Sequence, residues 1–195
     1  MFNDFALMMV MMWPFIPMFL IEIHYETSFW RRLGIWTYFI IFLEWLPIAY
    51  TVYSFQTVIL QYEITIALIL RILGAVAIAA GIILHTWTIK ILGIKATISY
   101  TELKPTTTDK KAENVIVTGP FSVVRHPSYW AHTSILTGTF LITGIIIIGA
   151  IALIDLAITY FITTELEDRE LTERFGQQYI EYKMKVPKFF PKLRR

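Results

Sequence analysis

Two polar stretches carry the side chains that could do chemistry in this chain. The first, at residues 119–130, places an arginine, a histidine, a serine and a tyrosine directly before an apolar run. Pro127 is favoured at the first position of a helix, so His126 is predicted at the start of one, where free backbone N–H groups can bind an anion. A purely structural interpretation stays open, in which Arg125 reaches the lipid headgroups and Tyr129 joins an aromatic belt.

The second polar stretch follows a later apolar run and is acidic. It holds Glu165, Glu167, Asp168 and Glu170, and then the order Phe-Gly-Gln-Gln-Tyr at 175–179. A helix brings residues three and four apart to one face, so part of this acidic group is predicted to share a face. One carboxylate could bind a ligand that carries an amine or a ribose. The alternative is a solvated turn of helix beyond a membrane.

Several other kinds of chemistry find no support in the sequence. The chain has no cysteine, which excludes disulfides, thiolate nucleophiles and thiolate metal sites. His24, His85 and His132 are dispersed, and no metal or nucleic-acid partner is predicted. The sequence contains no glycine-rich nucleotide-binding motif (Walker A or Gly-x-Gly-x-x-Gly) and no Gly-x-Ser-x-Gly motif of a nucleophile elbow. Glu44 and Arg71 lie inside apolar runs, and their role stays open between structural pairing and function.

The elements that must position these stretches are membrane helices. The chain has 195 residues, of which 56% are hydrophobic, and its mean hydropathy is +0.58. A soluble domain would be about 45–50% apolar. The composition therefore predicts an all-α, polytopic integral membrane protein that forms one domain.

Five membrane helices are predicted from the apolar runs, since one span takes roughly 20 apolar residues. The first three lie at 5–23, 33–55 and 64–89. The run at 128–164 has 37 residues, which is too long for one span, so we expect a hairpin that turns near 141–144. Its second helix is predicted to continue past the membrane.

The charges predict which side of the membrane each stretch faces. Of the 17 Lys and Arg residues, 16 fall in the loops after the first and third helices and in the C-terminal tail, which are on one side. The positive-inside rule then places the N-terminus outside and both polar stretches in the cytoplasm. The tail has apolar residues at helical spacing over 166–184, which predicts one amphipathic helix ended by Pro187 and Pro191.

The motifs in the polar stretches resemble those of the isoprenylcysteine carboxyl methyltransferase family. They are, in order, Gly-Pro-Phe at 119–121, Arg-His-Pro-Ser-Tyr at 125–129, Glu-x-Glu at 165–167, Phe-Gly-x-x-Tyr-x-x-Tyr at 175–182 and Val-Pro at 186–187. The resemblance covers residues 113–191, and the first three helices match only in hydropathy. The family belongs to a superfamily of integral membrane methyltransferases that also includes phospholipid methyltransferases.

The resemblance implies a cofactor, a substrate and a set of site residues. The family methylates the C-terminal carboxylate of a prenylated cysteine, using S-adenosylmethionine and releasing S-adenosylhomocysteine. The predicted catalytic residues are Arg125, His126 and Glu167, of which Arg125 is chosen from its place in the loop and not from the resemblance. The implied cofactor contacts are Glu113, Asn114, Val115, Ile116, Phe121, His126, Pro127, Ser128, Tyr129 and Glu167.

The roles expected within this set differ. His126 and Tyr129 are predicted to hold the cofactor at the start of the fourth helix, and Glu167 to bind its amine or ribose. Relatives carry a substrate-contacting arginine at the position of Thr163. Arg125 is therefore predicted to pair with the substrate carboxylate, because it is the only arginine in its loop.

The chemistry is compatible with a site that lacks a catalytic dyad. An α-carboxylate has an unperturbed pKa of roughly 3.5, so it is ionised at neutral pH and needs no general base. Alignment of the reacting atoms supplies about 7–11 kcal/mol in favourable cases. Two other function classes stay open. A phospholipid or other amine acceptor would need a proton acceptor, such as Glu167 or His126. The chain could also be a non-catalytic membrane scaffold.

Residues 1–195 are therefore predicted to form a single membrane methyltransferase domain. Three membrane helices occupy 1–89, a cytosolic cofactor loop occupies 90–127, and two helices with the amphipathic extension occupy 128–195. Expected partners are a prenylated cysteine or another lipidated substrate, together with membrane lipids. The membrane would be the cell membrane in a prokaryote and the endoplasmic reticulum in a eukaryote.

Overall fold

The computed structural model describes residues 2–100, 103 and 114–191. Within these residues the chain is helical, and the only β-type pairing is an isolated bridge between Glu63 and Ile145. The all-α prediction is confirmed. The helices are α1 (Phe2–Met12), α2 (Phe15–Tyr25), α3 (Thr27–Leu33), α4 (Trp36–Ser54), α5 (Gln56–Leu60), α6 (Leu68–Leu92), α7 (Ile94–Thr97), α8 (Pro127–Thr143), α9 (Ile146–Ile158), α10 (Thr164–Phe175) and α11 (Gln177–Lys185).

Three helical stretches in the described residues are long and apolar enough to cross a membrane. They are Asp4–Tyr25, Leu68–Leu92 and Ile146–Phe175, and α3 with α4 makes a fourth if that pair, bent by 107°, is one span. The polytopic membrane class is confirmed. The predicted fourth helix corresponds to α8, whose 17 residues extend about 26 Å, slightly less than the hydrocarbon core.

The predicted hairpin lies between α8 and α9. Gly144 follows α8 with a φ of +74°, a left-handed conformation that glycine adopts without strain, and its N–H donates to the carbonyl of Phe140 at 2.8 Å. The turn is held by backbone bonds from Ile64 N–H to Gly144 O (2.9 Å) and from Ile146 N–H to Tyr62 O (3.0 Å). The expectation of a turn near 141–144 is confirmed, with the break at its last residue.

Small residues let α6 and α8 pack closely. A Cβ built on Gly81 would lie 2.8 Å from the carbonyl oxygen of Ala131, and one on Gly138 would lie 2.5 Å from that of Gly74. Backbones can approach this closely only where the side chains are missing, which is a common device between membrane helices. This packing fixes α8, and with it the polar stretch at its N-terminus.

A π-helical turn, Thr159–Thr163, joins α9 to α10 without breaking the rod. The hydroxyl of Thr164 donates to the carbonyl of Thr159, five residues earlier, at 2.9 Å. A π-helical turn holds one more residue than an α-helical turn, so it rotates everything that follows. The acidic side chains of α10 are thereby set at a different angle from those of α9.

The prediction of one amphipathic helix over 166–184 is wrong. The chain breaks at Gly176, whose φ is +59°, and resumes as α11. Residues 176–191, here called the C-terminal arm, fold back towards α8. Tyr179 and Tyr182 are buried there, and the indole N–H of Trp130 donates to the carbonyl of Phe189 at 2.7 Å. The arm therefore covers the loop that precedes α8.

Candidate functional site

The loop before α8 is closed by the C-terminal arm. A 3₁₀ turn, Gly119–Ser122, buries Phe121, whose carbonyl accepts a hydrogen bond of 2.6 Å from the hydroxyl of Tyr182. The backbone N–H of Arg125 donates to the carbonyl of Pro187 at 2.9 Å. These bonds fix both sides of the polar stretch and hold His126 at the N-terminus of α8.

His126 lies between two carboxylates. Its Nδ1 is 3.1 Å from Oε2 of Glu167 and its Nε2 is 3.0 Å from Oδ1 of Asp168, and its side chain is only 2% exposed. Ionised carboxylates only accept hydrogen bonds, so both ring nitrogens must carry a proton. Burial alone lowers the pKa of His126, but the charge of Glu167 and the hydrogen bonds to Asp168 and Glu167 raise it to about 9. The ring is an imidazolium at neutral pH.

Asp168 is the centre of this polar cluster. Its Oδ1 accepts a bond from Nε2 of His126 and one of 2.5 Å from the hydroxyl of Tyr179. Its Oδ2 is 2.7 Å from NH2 of Arg125 and 3.4 Å from Nζ of Lys183. Burial and the charge of Asp168 raise the pKa of Tyr179, so the phenol stays protonated and donates. Asp168 therefore joins α10 to the loop before α8 and to α11.

The structure places Arg125 inside this cluster. Its side chain is 9% exposed, with NH2 on Asp168 and NH1 donating to the carbonyls of Lys183 (3.3 Å) and Val186 (3.1 Å). These contacts hold the C-terminal arm on the loop. Pairing of Arg125 with a substrate carboxylate stays a prediction, and the observed contacts favour a positioning role instead.

Glu167 differs from Asp168 in its exposure. Its Oε2 accepts bonds from Nδ1 of His126 and, at 2.9 Å, from the hydroxyl of Tyr129. Its side chain is 26% exposed, and among the described residues Oε1 accepts no hydrogen bond. One oxygen of Glu167 is thus fixed by the protein and the other is open to a ligand.

The remaining predicted site residues are placed around this cluster. Val115 packs against the cluster of Tyr179 and Tyr182, within a segment without regular secondary structure that also contains Asn114 and Ile116. Pro127 and Ser128 form the first turn of α8. Glu113 lies outside the described residues. In the part of the chain that the structure describes, no group of three or more His, Asp or Glu residues could hold a metal ion.

Asp168 is the site residue that sequence reasoning missed. It belongs to the acidic stretch of the sequence, but the motif resemblance implies a ligand role only for Glu167. Neighbours on a helix point about 100° apart, so the sequence could not show which carboxylate faces the interior. The available signal was the tyrosine of the Phe-Gly-x-x-Tyr motif, Tyr179, which needed a buried acceptor once α11 folded back.

A sequence model of the phospholipid methyltransferase family matches residues 69–178, from the start of α6 into α11. Among curated relatives, a nickel-cobalt-cadmium resistance protein, NccN, from Alcaligenes xylosoxydans xylosoxydans is 31% identical over 84 residues, which are 43% of this chain and 39% of the relative. A protein-S-isoprenylcysteine O-methyltransferase from Xenopus laevis is 34% identical over 84 residues, 41% of this chain and 28% of the relative.

A cobalt-zinc-cadmium resistance protein, CzcN, from Cupriavidus metallidurans is 30% identical over 84 residues, 43% of this chain and 38% of the relative. The matched part of the chain therefore spans between 28% and 39% of the length of these relatives. No solved structure matches the chain with significance.

Proposed function

Because the chain belongs to the phospholipid methyltransferase family, we propose that it transfers a methyl group from S-adenosylmethionine to the C-terminal carboxylate of a prenylated cysteine or a similar lipid. The observation that carries this proposal is Glu167, a carboxylate with one oxygen fixed by His126 and Tyr129 and the other open. The resemblance of the motifs to isoprenylcysteine carboxyl methyltransferases supports the choice of acceptor, as does the Xenopus laevis relative.

The open oxygen of Glu167 suits the donors of the cofactor. S-adenosylmethionine carries an ammonium group and two ribose hydroxyls, and Oε1 can accept a hydrogen bond from either kind of donor. His126 and Tyr129 keep the carboxylate in one orientation. When bound, the cofactor supplies a methyl group on a positively charged sulfur. The protein residues orient the two reactants and exclude water, and no protein group needs to take up a proton.

The state of His126 favours a carboxylate acceptor over an amine. An ammonium group must lose a proton before it can attack a methyl group, so an amine acceptor requires a base. His126 already carries protons on both nitrogens, each directed at a carboxylate, and cannot serve. A carboxylate is ionised from the start, since its unperturbed pKa is roughly 3.5. An amine headgroup remains the second candidate, because Oε1 of Glu167 is open and the family name describes phospholipid methylation.

The location of the site explains why a membrane fold would suit this reaction. The polar cluster lies where α8 and α10 leave the apolar part of the bundle. We place this end in the cytoplasm, because the Lys and Arg residues are concentrated in the loops on that side. A lipid tail can then enter sideways from the bilayer while the cofactor arrives from water.

The test is methyl transfer from labelled S-adenosylmethionine to farnesylcysteine, with the full chain in detergent. Glu167→Gln removes the charge and is expected to lower transfer at subsaturating cofactor about 10- to 100-fold, the size of a lost charged hydrogen bond. Glu165→Gln is the matched control, because Glu165 is exposed and bonds to Lys188, and its transfer should be unchanged. Base-labile label on farnesylcysteine supports the proposal. Label on phospholipid amines instead would contradict the acceptor, and no transfer to either would contradict the enzyme.

A further inference from the structure

A polar cavity of about 230 Å³ lies between the junction of α2 with α3 and the side of α10, and the proposed function does not use it. Its walls are residues 24–28, Arg169, Glu170 and Glu173. The two walls are bonded to each other, because NH2 of Arg169 donates to the backbone carbonyl of Tyr25 at 3.1 Å. The cavity is therefore enclosed by the packing of α2 on α10, at the end of the bundle that we place in the cytoplasm.

His24 forms part of the cavity wall, with only 4% of the residue exposed. Its Nδ1 lies 2.7 Å from the carbonyl oxygen of Leu20, one turn earlier on α2. A carbonyl oxygen only accepts hydrogen bonds, so Nδ1 carries a proton and this bond fixes the orientation of the ring. Nε2, on the other side of the ring, has no hydrogen-bond partner among the described residues. A buried polar atom of this kind at a cavity indicates that a ligand supplies the missing partner.

The cavity also carries charges of both signs that are not used in pairing. On Arg169 only NH2 is engaged, and Nε and NH1 make no hydrogen bond or ion pair in the part of the chain that the structure describes. Glu173 lies four residues further along α10, yet it forms no ion pair with Arg169 or with any other described residue. A guanidinium group suits a carboxylate, and a carboxylate suits an ammonium group.

The amino-acid end of a ligand matches this set, because it carries an ammonium group and a carboxylate on one carbon. Nε2 of His24 accepts from the ammonium when the ring is neutral and donates to the carboxylate when it is protonated, so the contact does not depend on the protonation state. A prenylated cysteine at the end of a polypeptide has its nitrogen in an amide and lacks the ammonium group. S-adenosylmethionine carries both groups.

The cavity is close to the open oxygen of Glu167. Glu167 and Glu170, a residue of the cavity wall, are three residues apart and share a face of α10, about 4.5 Å apart along the axis. His24 is near enough to Glu167 to interact with it electrostatically. One cofactor molecule can therefore occupy both places, because its ribose and its amino-acid end are joined through the sulfur.

On the premise of the proposed function, we propose that the cavity between α2 and α10 binds the amino-acid end of S-adenosylmethionine. Arg169 pairs with the carboxylate, Glu173 faces the ammonium group, and Nε2 of His24 bonds to one of the two. Glu167 then binds the ribose hydroxyls, which decides between the two kinds of donor that its open oxygen could accept. His24 lies outside residues 69–178, which the family model matches, so this contact is a feature of the present chain.

The test is equilibrium binding of two ligands to the full chain in detergent. S-adenosylhomocysteine has the amino-acid end, whereas 5′-methylthioadenosine lacks it and keeps the ribose. His24→Asn retains an amide N–H that can donate to Leu20 but removes the group at Nε2. We expect the Kd for S-adenosylhomocysteine to rise about 10- to 100-fold, the size of a lost hydrogen bond to a charged group, and the Kd for 5′-methylthioadenosine to stay unchanged. Equal losses for both ligands, or no loss for either, would overturn the proposal.

Three controls separate a binding role from a structural one. His24→Gln places an amide near the position of Nε2 and should lose less affinity than His24→Asn, whereas a larger loss would mean that the bond to Leu20 carries the effect. Glu167→Gln should weaken both ligands, and a loss confined to S-adenosylhomocysteine would contradict the ribose assignment. An excess of free methionine should displace S-adenosylhomocysteine, and simultaneous binding of the two would reveal a separate amino-acid site and overturn the proposal.

The failure of this inference is distinguishable from the failure of the proposed function. A wild type that binds neither S-adenosylmethionine nor S-adenosylhomocysteine overturns both. A wild type that transfers the methyl group to a lipid carboxylate, with the Kd for S-adenosylhomocysteine unchanged in His24→Asn, overturns the inference alone.

Discussion

Two histidines near the N-terminus of α8, the N-cap His126 and His132 within the helix, differ in how completely the fold surrounds them. His126 is closed between Glu167 and Asp168, whereas His132 has Asp155 on one nitrogen and an open second nitrogen. The closed ring cannot exchange its protons without breaking two ion pairs, so it is suited to holding Glu167 in place. The number of adjacent carboxylates, and not the residue type, separates the surroundings of the two histidines.

Of the substitutions considered, loss of the Asp168 carboxylate should lower the free energy of unfolding the most, because it breaks the ion pairs around His126. In Asp168→Asn, the buried Arg125 loses its charge partner and His126 keeps only one carboxylate. Losing one member of a buried ion-pair network costs about 3–5 kcal/mol, so we expect a drop in unfolding free energy of that size in detergent. Glu181→Gln, an exposed change on α11, should stay within about 0.5 kcal/mol. Equal effects of the two variants would show that the cluster does not stabilise the fold.

The pH dependence of stability should report the closed histidine. The pKa of His126 rises from 6.5 to about 9 on folding, so its contribution is complete below pH 6.5 and is lost as pH rises through about 9. The shift corresponds to roughly 3 kcal/mol. Thermal unfolding of the wild type and of His126→Gln, measured from pH 6 to 10, should converge at the alkaline end. Parallel curves would mean that His126 is not an ion-paired imidazolium.

A substitution of Arg125, with a smaller expected effect on stability, should show whether this residue positions the C-terminal arm or contacts the substrate. Arg125→Lys keeps the charge on Asp168, but one ammonium group cannot also reach the carbonyls of Lys183 and Val186. We expect a loss of about 1–2 kcal/mol in unfolding free energy, with KM for farnesylcysteine little changed. A large KM increase in Arg125→Lys at unchanged stability would instead support the steering role expected from the sequence.

The features that depend on composition and local motifs were predictable from the sequence. Hydropathy gave the membrane class, and the excess length of residues 128–164 with Gly144 gave the hairpin. The position of Pro127 placed His126 at the start of α8. These signals are local, because each rests on a window of neighbouring residues.

The features that depend on distant pairing were not predictable. His132 and Asp155 lie on different helices, and Trp13 belongs to a third, so they appeared dispersed in the sequence. The engagement of Arg125 depends on the fold-back at Gly176, where a continuous helix was expected. Which of Glu167 and Asp168 faces the interior depends on the rotation of α10 about its own axis, and no pattern in a single sequence specifies that rotation.

The π-helical turn at Thr159–Thr163 has a consequence for how this protein can change over time. One rod must direct Asp155 towards α8 within the bilayer and must also direct Glu167 and Asp168 towards α8 and the C-terminal arm at its edge. The extra residue in the π-helical turn rotates α10 about the helix axis relative to α9, so the side chains of the two parts point in different directions. Substitutions in the lipid-facing half can therefore accumulate without rotating the acidic half, and the surroundings of Asp155 can diverge while Glu167 and Asp168 keep their contacts.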